Sequence, residues 1–67
     1  MDVRALQNSQ LLSAMHQKGV QFNPLWIGGM FLIYPPDPVT EALALEFQRR
    51  SAEPGNPLRR LVMVSKN

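Results

Sequence analysis

The sequence predicts a small single α+β domain in the order helix, β-hairpin, helix, an αββα-like arrangement with a candidate third strand towards the C-terminus. Three observations predict it. An apolar stripe at helical spacing runs through residues 9–18. Aromatic and β-branched residues surround Gly28-Gly29 between Val20 and Tyr34. An Asp37-Pro38 start then leads into Val39, Leu43 and Phe47 at four-residue intervals.

Leu11, Leu12 and Met15 share one helical face, with Ala14 at its edge, and Gly19 follows where a helix-ending glycine is expected. This gives a helix over residues 9–18. Val3 and Leu6 fall on a different side, so residues 1–8 are read as a separate turn or a frayed segment, with a break or new N-cap at Asn8-Ser9.

Gly28-Gly29 supplies the positive φ angles of a tight hairpin turn. With those glycines as the turn, Ile27 pairs with Met30, Trp26 with Phe31, Leu25 with Leu32 and Pro24 with Ile33. One face then carries Leu25, Ile27, Met30 and Leu32, and the other Phe22, Pro24, Trp26, Phe31 and Ile33. Both faces are apolar, and two short helices cover only one of them, so the second face is expected to meet a further chain. Pro24 lacks an N–H donor and suits an edge strand.

Tyr34-Pro35-Pro36 stops the second strand, and Asp37 caps a helix that begins at Pro38 and runs to about residue 50. Residues 51–57 read as a loop containing Pro54-Gly55-Asn56-Pro57. Leu58 to Val64 fits a third strand or a short buried helix, and strand is the favoured reading.

At 67 residues the chain forms one domain with one core, and no cysteine is available to staple it. Total stability on the order of 3–10 kcal/mol follows from the usual value per residue. No window of 18 apolar residues exists and no signal-peptide pattern opens the chain, so the expected compartment is the cytoplasm.

The functional residue types are sparse. His16 is the lone histidine, and with no thiol beside it no metal and no cofactor are expected. Neither His16 nor Ser9, Ser13, Ser51 or Ser65 stands in a catalytic constellation, so the chain reads as a non-enzyme without a small-molecule substrate. Residues 1–47 carry two basic side chains against four acidic ones, whereas residues 48–67 carry five against one. Arg49, Arg50, Arg59 and Arg60 therefore form a candidate basic patch for an acidic partner or nucleic acid. Phe22, Leu25, Trp26, Phe31, Ile33 and Tyr34 form the candidate partner-binding set, because aromatic and large apolar side chains dominate interface energetics.

The stretch from Leu11-Leu12 through Gly19-Val20, Trp26, Gly29, Phe31 to Tyr34, Pro35-Pro36 and Val39-Thr40-Glu41 resembles the N-terminal docking domains of tubulysin type found on hybrid peptide and polyketide megasynthases. The resemblance spans about residues 9–47. It implies an αββα-type fold, often dimeric, that captures a short C-terminal segment of a partner by β-augmentation. Carried over by position, Val20 to Ile27 would be the strand that partners meet, with Trp26 beside them.

The expected function is thus a noncatalytic protein-interaction module, with a homodimer as the expected assembly. A small inhibitor of a host protein complex, encoded by a phage or mobile element, is the alternative. A nucleic-acid accessory protein using the C-terminal arginines is the second alternative.

Overall fold

A computed structural model describes residues 2–25 and 29–62. The elements are a 3₁₀ turn at Val3–Ala5, α1 at Asn8–Gln17, β1 at Gln21–Leu25, β2 at Gly29–Ile33, α2 at Pro38–Ser51 and α3 at Arg59–Val62. Helices and a two-stranded antiparallel hairpin make a small α+β domain, as the sequence predicts.

Local chemistry fixes the ends of both main helices. At the start of α1, the Gln7 N–H donates to Gln10 Oε1 at 2.8 Å. At its end Gly19 adopts φ +81°, and the Val20 and Gly19 N–H groups donate to the carbonyls of Met15 and His16. That is the Schellman pattern, which satisfies carbonyls the helix leaves unpaired. Asp37 Oδ2 accepts from the Val39 and Thr40 N–H groups, and Pro38 occupies the first helical position of α2. Thr40, itself buried, donates its hydroxyl to Pro35 O at 2.6 Å and Asp37 O at 2.9 Å, which pins the Pro-rich approach to the helix.

The core comprises Leu11, Met15, Val20, Leu43, Phe47 and Leu58. It joins one stripe of α1 to one stripe of α2, and Leu32, Tyr34, Val39, Val3 and Leu6 pack around its margin. Within residues 1–8, which the sequence leaves between turn and frayed chain, Val3–Ala5 form a 3₁₀ turn, and Val3 and Leu6 pack against this core.

The hairpin differs from expectation in register. Gln21 pairs with Ile33, Phe22 with Leu32, Asn23 with Phe31, Pro24 with Met30 and Leu25 with Gly29. Gly29 is therefore a strand residue, and three positions, not a glycine pair, connect the strands. The slip is odd, so it changes which residues of the two strands share a face. The core supplies the reason: Val20, Phe22, Leu32 and Tyr34 all occupy even positions, and only an even pairing sum brings Phe22 and Leu32 to the same side.

The segment favoured as a third strand is helical over Arg59–Val62. The Leu58 N–H donates to Asn56 Oδ1 at 2.9 Å, and successive i to i+3 bonds from Arg59, Arg60 and Leu61 wind the chain before a strand can start. Val64 lies outside the described residues, as do Met63 and Trp26 to Gly28.

Candidate protein-interaction surface

The outward face of β2 presents Phe31 and Ile33, 46% and 48% exposed. Alternation along the strand places both on one side, with Leu32 between them directed to the core margin. Their partners across the hairpin are Asn23 and Gln21. The outward face thus sets polar Gln21 and Asn23 opposite Ile33 and Phe31, which corrects the expectation of two fully apolar faces.

Phe22 does not belong with Phe31 and Ile33. Its ring stacks on Phe47 with centroids 5.3 Å apart and an interplanar angle of 28°. One side of the Phe22 ring is committed to the core, although 39% of the residue is still exposed. Tyr34 is half-buried and packs against the core, while also lining a shallow depression with Pro36, Asp37, Pro38 and Glu41. Leu25 closes β1 opposite Gly29. Trp26, the sequence-predicted aromatic anchor, lies outside the described residues.

The four arginines do not form one patch. Arg50 is buried, its side chain 8% exposed, and its Nε donates to Glu46 Oε2 at 2.6 Å. Its remaining N–H groups reach Asn8 Oδ1 at 3.2 Å and the carbonyls of Val3 and Arg4 at 3.4 and 3.3 Å. Arg50 is therefore a clamp between α2 and the 3₁₀ turn. Arg49 donates to both Glu46 oxygens and to Glu53 Oε2. Hydrogen bonds from Arg49, reinforced by Arg50 and opposed by burial, hold the Glu46 carboxyl at about 2. Glu46 in turn raises Arg49, which stays protonated throughout. Only Arg59 and Arg60 stand outside this network among the described arginines of the C-terminal region.

Sequence reasoning missed this network. Its signal was the spacing of Glu46 to Arg50, four residues apart on the face that also carries Leu43 and Phe47. His16 is exposed on α1. Among the described residues no three His, Asp or Glu side chains gather where they could hold a metal ion, and no helix is long and apolar enough to cross a membrane.

Comparison with family models, with curated proteins and with solved structures found no match for this chain.

Proposed function

We propose that this chain is a noncatalytic protein-interaction module that takes up an extended segment of a partner protein along β2. The observation that carries the reading is the alternation of half-exposed Phe31 and Ile33 on a strand of a two-stranded sheet. Each strand of such a sheet pairs on one side only, and no other described segment adds to it. The free side of β2 offers N–H and C=O groups to a third strand. Main-chain hydrogen bonds would supply affinity and contacts to Phe31 and Ile33 would supply selectivity. Covering the exposed half of each side chain contributes on the order of 1 kcal/mol.

A dock for a segment of a peptide or polyketide synthase is a related form of this reading, but the sequence resemblance places that segment along Val20 to Ile27, on the β1 edge, whereas exposed Phe31 and Ile33 favour β2. An inhibitor of a host complex would use the same surface on a different partner. The nucleic-acid reading is weaker, because Arg49 and Arg50 are engaged by Glu46 and Glu53.

The experiment is selection of linear peptides on the immobilised chain from a random displayed library, followed by amide hydrogen exchange of the complex. Protection of the β2 amides, with affinity lost in Phe31→Ser and Ile33→Ser, is the expected result. Selected peptides that protect only residues away from the hairpin would overturn the reading.

A further inference from the structure

The loop between α2 and α3 frames a groove of about 480 Å³ lined by Pro54, Gly55, Asn56, Pro57, Arg59 and Arg60. The loop is held in place from several directions. Asn56 Oδ1 accepts from Asn8 Nδ2 at 3.0 Å and from the Leu58 N–H at 2.9 Å, and Asn56 Nδ2 donates to Glu53 Oε1 at 3.3 Å. Pro54 and Pro57 restrict φ on either side. A hydrogen bond from Arg59 Nη1 to Ala52 O, at 3.4 Å, ties one guanidinium to the end of α2.

Charge is not balanced here. Among the described residues neither Arg59 nor Arg60 has an ion-pair partner. Glu53, the acid bonded to the loop, has one oxygen on Arg49 and the other on Asn56. The Glu46 carboxylate is occupied by Arg49 and Arg50. Two arginines on consecutive residues therefore line the groove, and among the described residues no carboxylate pairs with either of them.

We propose that this groove binds an acidic peptide segment of a partner protein, whose Asp or Glu carboxylates accept hydrogen bonds from Arg59 and Arg60. Guanidinium groups recognise carboxylates through paired N–H donors, and such charge-assisted bonds are stronger than neutral ones. An acidic peptide suits the site better than nucleic acid. Two cations make few phosphate contacts. Among the described residues no aromatic lines the groove to stack a base. This inference stands independently of the β2 reading.

The test is a titration of the isotope-labelled full chain with hexaglutamate at low salt, with hexaglutamine as the control and amide shifts as the readout. Hexaglutamate alone should move the amides of the Pro54–Arg60 segment, with weaker binding at physiological salt. Arg60→Gln and Arg59→Gln should each weaken it by roughly five-fold. Arg60 is exposed, so its replacement should leave the circular dichroism spectrum unchanged. Shifts centred on Arg4 or Lys18, or undiminished affinity in Arg60→Gln, would overturn the proposal. Tighter binding of a short single-stranded oligonucleotide than of hexaglutamate would reassign the groove to phosphate and overturn it equally.

Discussion

Phe22 on β1 stacks against Phe47 on α2, with the ring centroids 5.3 Å apart. This contact joins residues 25 positions apart and determines which side of the hairpin is inside. Once Phe22 is turned to α2, Leu32 opposite it must follow, and Phe31 and Ile33 must face outward.

Replacing Phe47, which is 2% exposed, with alanine removes this stack and leaves a hole in the only described core cluster. The cost is about 3–5 kcal/mol. That is comparable to the whole stability of a domain this small, so Phe47→Ala is expected to be largely unfolded by circular dichroism. Phe31→Ser should lower the unfolding free energy measured in urea by less than about 1 kcal/mol while weakening a β2 ligand.

Arg50→Ala should be among the most damaging polar substitutions. It removes the hydrogen bonds to Asn8 and to the Val3 and Arg4 carbonyls and takes one cation from buried Glu46. Breaking a buried pair from one side costs about 3–5 kcal/mol. Arg49 still contacts Glu46, which places the expected loss at the lower end of that range. Chemical denaturation measures it, and a loss within error of zero would show that the clamp adds nothing.

Acid should weaken the fold through Glu46. Its folded-state value of about 2 lies below the ordinary 4.5, so the folded protein binds that proton less readily than the unfolded chain. The corresponding stability is fully present above about pH 4.5 and is lost as pH falls towards about 2. Denaturation midpoints measured across that window should decline in the parent protein. They should decline less steeply in Glu46→Gln, although that variant starts from lower stability.

Gly19→Ala isolates a backbone effect. A Cβ at Gly19 would meet Pro35 Cγ at 3.9 Å, an ordinary contact, so sterics with neighbours contribute little. The φ of +81° is unfavourable for alanine and should cost about 1–2 kcal/mol. Gly19→Asn should cost less, because asparagine tolerates the left-handed region. Equal midpoints for glycine and alanine would contradict the Schellman assignment.

Local chemistry was legible in the sequence, and distant coupling was not. Asp37, Pro38 and Gly19 announce their structures through their own side chains or lack of one, and the helices appear within a residue of where those signals put them. Gly28-Gly29 carried a genuine turn signal, but Phe47 and the even-numbered inward residues outweighed it. Arg50 looked like surface because a lone guanidinium belongs in water, and its burial depends on Glu46 and on carbonyls 46 and 47 positions away. Leu58 to Val64 is too short for periodicity to separate strand from helix, and the decisive bond comes from Asn56. Arg59 and Arg60, which have no ion-pair partner among the described residues, are distinguished from Arg49 and Arg50 only by those ion pairs.

The bonds from Asn56 to Asn8 and from Arg50 to Val3 also constrain the order of assembly. Closing loops of more than 40 residues is entropically costly, whereas α1, the hairpin and α2 each form from neighbours in sequence. The local elements should therefore condense first, with the Asn8–Asn56 and Arg50 bonds locking late. Substitutions at that lock would then accelerate unfolding while leaving the folding rate nearly unchanged.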